Sequence, residues 1–362
     1  MPRVSIAELT QLATAALARA GASAAMAQST ARCLVAADAQ GLPTHGVARV
    51  PNYCIHLRTG RVDGKAVARV ARDAGGAVMI DAADGLAFPA IDLAVAECIG
   101  RARHHGVAFA GVANSHHSGA LGILLEPIAA AGMAGLAFSN AAAAIVPAGG
   151  RHPVFGTNPV AAIFPRRDGE PLVVDLSLTQ VTRGEIMLRQ KRGEAIPAGW
   201  GCDAEGNPTT DADRILLGGS LNAVGGTKGT MLALAVELLC CAVVGGTLSH
   251  RIRGLAADEG PPLRTGQAFL AIDPAALAGR DTYLERVETL AAEMLKDEGV
   301  RLPGARRVAL RREAGARGVE VEDGVLAALR GLTKPDCPPM NADTRRCNPE
   351  TTGGPEFRQE GI

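Results

Sequence analysis

The chain has 362 residues, enough for one large domain or two ordinary ones with a sizeable core. Its 37 basic and 37 acidic residues give a formal net charge of zero, which argues against nucleic acid or an anionic membrane surface as a partner. Aromatic residues make up only 3%, which leaves few stacking surfaces for single-stranded nucleic acid. We therefore expect no nucleic-acid partner and no membrane partner.

The cysteine pattern bears on compartment and on metal binding. Eight cysteines are scattered along the chain, with no C-x-x-C pair and no zinc-ligand spacing. The first residues also lack the pattern of a secretory signal. These features predict reduced thiols, a cytoplasmic location and no metal site.

The N-terminal region reads as helical. Ser5 and Glu8 form a capping-box signature ahead of an apolar helical repeat, and a second helix begins at about Ser23. A turn over residues 41–49 follows, and residues 50–57 resume as helix until Thr59-Gly60 ends it.

The middle of the chain alternates between short strands and helices. We predict strands over 78–81, 106–112, 135–140, 160–165, 172–175 and 269–272, and helices over 89–103, 121–131 and 283–297. This order predicts a mixed α/β domain with polar clusters at strand ends, where α/β sheets usually build sites.

Residues 231–248 are apolar for 18 residues, the lower limit for a membrane span. Glu237 interrupts the run and no Trp or Tyr flanks it, so we predict a helix buried all round in the core of a large α/β protein.

Three regions follow from this pattern. Residues 1–70 form a helical N-terminal region packed with residues 305–333, and residues 71–304 form an α/β domain. Residues 301–307 read as a basic loop. Residues 334–362 lack periodicity and are predicted to be a disordered tail.

The turn over residues 41–49 carries the first candidate chemistry. Thr44 can orient His45, His45 can move a proton, and Arg49 can clamp a carboxylate with its forked guanidinium. The alternative is a plain helix–loop junction with a solvated histidine and arginine.

Two further segments offer binding groups. Neither the Gly-x-Gly-x-x-Gly dinucleotide fingerprint nor a P-loop is present, but residues 225–229 with Lys228 supply amides and a cation suited to phosphate. Either His116 or His117 can face a pocket as acid, base or hydrogen-bond donor. The alternatives are a glycine-softened helix start and a loop histidine.

Taken together, the motifs resemble the malate/L-lactate dehydrogenase type 2 family, which includes ureidoglycolate and sulfolactate dehydrogenases and piperideine- and pyrroline-2-carboxylate reductases. The resemblance covers about residues 5–330. The motifs, in chain order, are Thr44-His45-Gly46 with Arg49, Asn114-Ser115-His116-His117, Phe155-Gly156-Thr157-Asn158-Pro159, Asp175 with Arg183-Gly184, Gly225-Gly226-Thr227-Lys228-Gly229 and Leu302-Pro303-Gly304.

The resemblance implies a non-Rossmann NAD(P)-binding fold, a homodimer and a set of site roles. Thr44, His45 and Glu185 match the proton relay of the imine reductases, with Thr in place of Ser and Glu in place of Asp. His117 matches the proton acceptor of the ureidoglycolate branch. The implied substrate contacts are Arg49, Thr157, Arg183 and Gly184, and the implied cofactor contacts are Asp175, Leu176, Ser177, Thr227, Lys228, Arg301, Leu302, Pro303, Gly304, Ala305, Arg306 and Arg307.

We therefore expect an NAD(P)-dependent oxidoreductase that interconverts a small 2-oxo acid and its 2-hydroxy acid, with NADP favoured over NAD. Ser118-Gly119-Ala120-Leu121-Gly122 resembles the hydroxy-acid members. The Asn-Ser-His-His run and the Thr-His…Glu set instead resemble the cyclic imine reductases, which remain the alternative. A third possibility is a non-catalytic nucleotide sensor.

Overall fold

The computed structural model describes residues 1–334. The predicted tail lies outside these residues apart from Lys334. The strands are β1 (Arg3–Val4), β2 (Arg69–Ala74), β3 (Ala77–Asp81), β4 (Val107–Ser115), β5 (Ala134–Ser139), β6 (Val160–Phe164), β7 (Leu172–Leu176), β8 (Gly201–Cys202), β9 (Ser220–Leu221), β10 (Thr265–Ile272) and β11 (Val319–Glu320). The helices are α1 (Ile6–Arg19), α2 (Ala24–Ala39), α3 (Val50–Arg58), α4 (Ala87–His105), α5 (Leu121–Leu124), α6 (Glu126–Ala130), α7 (Arg183–Arg192), α8 (Ala212–Leu216), α9 (Thr227–Glu237), α10 (Arg280–Met294), α11 (Ala305–Arg317) and α12 (Asp323–Leu332).

A seven-stranded mixed sheet forms the centre, in the order β2-β3-β4-β10-β5-β6-β7. Only β3 and β4 run parallel; each other neighbouring pair in this sheet is antiparallel. The predicted mixed α/β fold is confirmed. Strand β7 lies at one edge of the sheet, so other segments of the chain can pack beside it.

The predicted N-terminal helices are confirmed together with their caps. The Ser5 hydroxyl accepts from the Glu8 N–H at 3.1 Å, and the Ser23 hydroxyl accepts from the Met26 N–H at 3.3 Å. Each bond satisfies one of the orphan donors of a first helical turn.

The two ends of the described chain meet. Strand β1 pairs antiparallel with β11, and Arg3 Nη2 bonds Glu320 Oε1 at 2.8 Å. One apolar cluster extends from Val4 to Leu332 and includes residues of the helices, β3, β4 and β10. The N-terminal helices therefore share a core with the sheet that carries the strand-end segments.

Three local predictions are wrong. Residues 121–131 form two short helices, because Pro127 starts a new first turn and cannot donate to the preceding one. Residues 301–307 are not all loop, because α11 begins at Ala305. The apolar run at 231–248 is not a helix buried all round: α9 ends at Glu237, a π-helical turn spans Leu238–Val243, and Leu232 is 55% exposed.

Within residues 1–334, none of the helices has the length and apolar character that a membrane span needs.

Candidate active site

The loop after α2 consists of two 3₁₀ turns, Pro43–His45 and Val47–Arg49. Asp38 anchors it, because its Oδ2 accepts from the Val47 N–H at 2.7 Å. A Cβ added at Gly46 would overlap the Asp38 carboxylate, so this close approach needs glycine. Burial raises the pKa of Asp38 to about 7, although the Val47 N–H opposes the shift.

The loop brings a hydroxyl, an imidazole and a guanidinium together. Thr44 Oγ1 lies 3.0 Å from His45 Nδ1, and Arg49 Nε donates to the Thr44 carbonyl at 2.6 Å. No carboxylate of the described chain pairs with Arg49, so its two terminal nitrogens remain available for an anion.

The two predicted histidines meet. His117 is the second residue after β4, and its ring stacks on that of His45 with centroids 5.7 Å apart and an interplanar angle of 23°. Tyr53, from α3, places its hydroxyl 2.6 Å from His117 Nδ1. Segments more than 60 residues apart in sequence therefore converge on one site.

The adjacent His116 turns the other way. Its Nε2 lies 2.9 Å from His56 Nδ1, and Arg61, itself 1% exposed, donates to the Ala257 carbonyl beside His56. His116 is also 1% exposed and belongs to this core network. Of the two neighbouring histidines, only His117 faces His45.

Charges around His45 oppose one another. Burial lowers the pKa of His45 to about 4, and the Arg49 guanidinium lowers it further. Asp175 raises that pKa and Arg307 lowers it. In the site without a bound ligand, the His45 imidazole is therefore neutral at neutral pH.

Asp175 stands near the end of β7 and is pinned in place. Its Oδ2 accepts from Arg307 Nη1 at 2.9 Å and from the Gly122 N–H at 3.1 Å. The Asp175 side chain is 10% exposed, so this ion pair is largely shielded from water. Arg307 lies in the first helical turn of α11, which fixes the approach of that helix to β7.

The predicted cofactor segments lie side by side along β7. Pro303 accepts from the Val173 N–H at 3.1 Å, and the Val224 N–H donates to the Leu178 carbonyl at 2.9 Å. Leu178 also donates to the Thr157 carbonyl at 2.9 Å. The edge strand and its continuation thus bring together segments from three distant parts of the sequence.

The turn before α9 fits a phosphate. Gly225 and Gly226 have φ of 63° and 62°, a left-handed conformation that favours glycine. The first N–H groups of a helix have no intrahelical partner, and in α9 no capping side chain accepts from them. Thr227 and Lys228 are exposed beside a cavity of about 390 Å³. Amides, helix N-terminus and cation together suit an anionic group of a nucleotide.

Three of the remaining predicted site residues lie at the start of α7. Gly184 lies against Thr44, since an added Cβ would be 3.0 Å from Thr44 Cγ2. Glu185 is not joined to His45: its Oε1 accepts from Arg189 Nε at 3.0 Å along the same helix, the usual geometry of an i,i+4 pair. Arg183 reaches the Leu216 carbonyl at 3.4 Å.

The other predicted cofactor contacts lie on accessible surface near this strand. Ser177 Oγ lies 2.7 Å from Thr179 Oγ1 just after β7. The exposed or half-exposed remainder comprises Leu176, Arg301, Leu302, Gly304, Ala305 and Arg306. No group of three His, Cys, Asp or Glu side chains within residues 1–334 is placed to hold a metal ion.

Sequence reasoning missed two residues of the site, Asp38 and Tyr53. Tyr53 follows Arg49 by four residues, one helical turn, and is one of two tyrosines in the chain. That spacing is a signal that could have placed it on the Arg49 face. Asp38 sits near the end of an Ala-rich helix, where nothing in the sequence distinguishes it from a surface carboxylate.

The chain is similar to known dehydrogenases and reductases over nearly its whole described length. A family model of malate/L-lactate dehydrogenase matches residues 4–330. The (2R)-3-sulfolactate dehydrogenase (NADP(+)) of Chromohalobacter salexigens is 44% identical over 327 residues, 90% of this chain and 97% of that protein. The Delta(1)-pyrroline-2-carboxylate/Delta(1)-piperideine-2-carboxylate reductase of Pseudomonas putida is 37% identical over 330 residues, 91% and 96% of the two chains.

Solved structures give the same result. The delta1-piperideine-2-carboxylate reductase of Pseudomonas syringae superposes with a TM-score of 0.86 at 35% identity, covering 92% of this chain and 100% of that one. The sulfolactate dehydrogenase of Methanocaldococcus jannaschii gives a TM-score of 0.84 at 27% identity, covering 91% and 96%. The chain belongs to the malate/L-lactate dehydrogenase family.

Proposed function

We propose that the protein is an NAD(P)-dependent oxidoreductase that interconverts a small 2-oxo acid and its 2-hydroxy acid, and that NADP is its preferred cofactor. One observation carries the proposal: an imidazole and an unpaired guanidinium stand on one loop that faces the Asp175 end of β7. The similarity to an NADP(+)-dependent sulfolactate dehydrogenase supports the choice of substrate class and cofactor.

Arg49 binds the substrate carboxylate. Its Nε is held by the Thr44 carbonyl, which fixes the plane of the guanidinium and leaves two terminal nitrogens for a forked contact. A carboxylate held in this way presents the neighbouring C2 carbon and its oxygen to the rest of the site. The further proposed substrate contacts are Thr157, Arg183 and Gly184, of which Gly184 lies against Thr44.

His45 exchanges the proton at the C2 oxygen. In reduction the imidazolium gives a proton to the oxygen as the carbonyl becomes a hydroxyl, and in oxidation the neutral ring takes it back. Thr44 Oγ1, 3.0 Å from Nδ1, holds the ring orientation and stabilises one tautomer. A positioned acid of this kind contributes about 10²–10⁴ in rate.

Substrate binding also adjusts the acidity of His45. The Arg49 charge is one of the causes that lower the pKa of this histidine. A substrate carboxylate on Arg49 offsets that charge and raises the pKa of His45 above its value of about 4 in the free site. Burial, the largest cause of the lowering, remains, so the substrate carboxylate favours the charged form of His45 only by the part that Arg49 contributes.

Asp175 is the carboxylate that supports the charged form of His45, since Glu185 is engaged by Arg189. This differs from the relay that the family resemblance implied. It leaves Glu185 a role in stabilising α7, whose first turn lies against Thr44.

The chemistry that NADPH would supply when bound is the hydride for C2. The residues that would hold it are the backbone and side chains of residues 175–177, Thr227 with Lys228, and residues 301–307. Lys228 and the uncapped start of α9 suit its phosphates. Arg301 and Arg306 are exposed cations near β7 and are available to a 2′-phosphate.

The second candidate is reduction of a cyclic 2-imino acid such as piperideine-2-carboxylate. The reductases of this substrate class among the relatives favour it. Its chemistry needs the same carboxylate clamp and the same proton donor, with an imine nitrogen in place of the carbonyl oxygen. A nucleotide sensor without turnover is the third candidate.

A substrate panel run with both cofactors separates these candidates. We expect NADPH fluorescence to change on mixing with the protein. With pyruvate- or sulfopyruvate-type acids as substrates, we expect NADPH to be oxidised faster than NADH. Turnover with piperideine-2-carboxylate alone would establish the second candidate instead. Binding of NADPH with no turnover of any acid would establish the sensor.

A homodimer and a cytoplasmic location belong to the same proposal. Exposed apolar side chains on β7, α9 and the turn after it support a second copy as the covering partner: Leu176, Met231, Leu232, Leu238 and Val243. The six described cysteines are free thiols, in keeping with a reducing compartment. A single-chain mass in light scattering would contradict the dimer, and disulfides in protein isolated from cells would contradict the compartment.

A further inference from the structure

The contact between Tyr53 and His117 has a consequence for the site. Tyr53 is fully buried, and its ring packs edge-on against His116 with centroids 5.1 Å apart. Its hydroxyl lies 2.6 Å from His117 Nδ1, and no other hydrogen-bond partner of this hydroxyl exists within residues 1–334. The phenol is thus held in one orientation and forms one hydrogen bond, with His117.

Both groups are neutral. Burial raises the pKa of Tyr53, so the phenol keeps its proton. Burial also lowers the pKa of His117, and the Arg49 charge, His45 and His116 act in the same direction. Besides the neutral Tyr53 phenol, these three are the charged and titratable groups that face His117, and none of the three stabilises an imidazolium.

One hydrogen bond between a neutral phenol and a neutral imidazole can run in either of two directions. The phenol can donate to Nδ1, which leaves the proton of the ring on Nε2. Alternatively Nδ1–H can donate to the phenol oxygen, which leaves the buried hydroxyl proton without any acceptor. An unsatisfied buried donor is costly, so the first arrangement is favoured.

We propose that Tyr53 holds His117 as its Nε2–H tautomer, so that His117 donates a hydrogen bond into the site while His45 alone exchanges the proton with substrate. Tyr53 is a positioning residue, since it acts through His117. His117 Nε2 has no partner within the described chain, and the half-buried ring stacks on His45, so this N–H is free to meet an oxygen of a bound ligand. This assignment rests on the proposed function and differs from the proton-acceptor role that the family resemblance implied for His117.

The tautomer of His117 explains why His45 accepts the substrate proton and His117 does not. In the Nε2–H tautomer Nε2 has no lone pair to accept the hydroxyl proton of a 2-hydroxy acid. To accept one there, His117 would first have to pass its Nε2 proton to another group, and its other nitrogen is occupied by the Tyr53 O–H. The proton released on oxidation of the substrate therefore goes to His45, whose ring can exchange it with solvent.

The tautomer can be read directly, without any turnover. In protein labelled with ¹⁵N-histidine, two-bond ¹H–¹⁵N correlations distinguish a protonated nitrogen from a bare one, and loss of one signal set in His117→Gln assigns the residue. We expect Nε2 protonated and Nδ1 bare in the wild type at neutral pH. A bare Nε2, or a mixture of tautomers, would overturn the proposal even if the enzyme proved active.

Tyr53→Phe and Tyr283→Phe form a matched pair, because they change the only two tyrosines of the chain. Tyr283 bonds the Pro165 carbonyl at 3.1 Å, away from the histidines. We expect Tyr53→Phe to mix the His117 tautomers and Tyr283→Phe to leave them unchanged. Should both variants leave the His117 signals as in the wild type, Tyr53 does not set the tautomer.

His117→Gln tests the donor role with a side chain that keeps an N–H but cannot titrate near neutral pH. We expect kcat to fall by about tenfold or less, with the pH midpoint of kcat unchanged, because His45 still exchanges the proton. A loss of about 10²–10⁴, as for removal of a general base, would assign the proton to His117 instead. A wild type with the expected tautomer but without turnover would contradict the proposed function and leave the tautomer assignment intact.

Discussion

The site contains two histidine-bearing segments that differ in how they are held. His45 stands on a loop of two 3₁₀ turns, with a hydroxyl at Nδ1 and a carboxylate, Asp175, within its electrostatic reach. His117 stands at the end of a core strand, bonded to a buried phenol, and every charge that faces it is unfavourable to protonation. The same side chain is therefore suited to carry a proton in one place and to donate a fixed hydrogen bond in the other.

The largest effect that tests this contrast is removal of the His45 ring. In His45→Ala we expect kcat to fall by about 10²–10⁴, because the proton donor is lost, while the affinity for NADPH stays as in the wild type. His104→Ala removes an exposed histidine near the end of α4 and should leave both quantities unchanged. If cofactor affinity falls as much as kcat, His45 supports the nucleotide site rather than proton transfer.

The next effect concerns the carboxylate clamp beside His45. Arg49→Lys replaces a forked guanidinium by a point charge, and we expect the KM for the acid to rise about ten- to hundredfold, with a smaller change in kcat. Arg58→Lys changes an exposed arginine at the end of α3 and should have no effect on KM. An unchanged KM in Arg49→Lys would exclude this side chain from the substrate site.

The smallest effect concerns the support of the His45 loop. The pKa of Asp38 is raised to about 7 in the folded protein from 3.8. Between these two pH values the Asp38 carboxyl is ionised in the unfolded chain and protonated in the folded one. The free energy of unfolding therefore falls as the pH rises through this range, and the loss is constant above pH 7. Asp38→Asn avoids that loss and keeps an oxygen for the Val47 N–H.

We therefore expect Asp38→Asn to be more stable than the wild type at pH 8, with the difference shrinking toward pH 4. Three pKa units set an upper bound of about 4 kcal/mol. Chemical denaturation at several pH values measures it, with exposed Asp297→Asn as the control. A difference that does not depend on pH would mean that Asp38 titrates normally in the folded state.

Elements with a strong local signal were predictable from the sequence. The caps at Ser5 and Ser23 and the buried strands β4 and β5 carry their periodicity or their cap chemistry within a few residues. By contrast, β2 is exposed along its whole length and its apolar residues do not alternate with polar ones, so only its pairing with β3 marks it as a strand.

The site was predictable in its residue types and only partly in its contacts. Motif likeness pointed to Thr44, His45, Arg49 and His117, and these side chains lie together in the fold. It could not reveal that Glu185 turns to Arg189, because a helical carboxylate with an arginine four residues on has a local partner that competes with any distant one. Nor could it place Asp175 near His45, since that proximity depends on where the edge strand lies.

The packing of α11 against the N-terminal helix α2 has a consequence for synthesis of the chain. The helix that carries Asp38 packs against α11, and Gly41 lies against Leu310, so the loop that positions His45 is supported by residues made some 270 positions later. A nascent chain that has left the ribosome only as far as α10 contains every residue of the proton-transfer site but lacks this support. Catalytic competence should consequently arise late in translation, and fragments that stop before α11 should be inert.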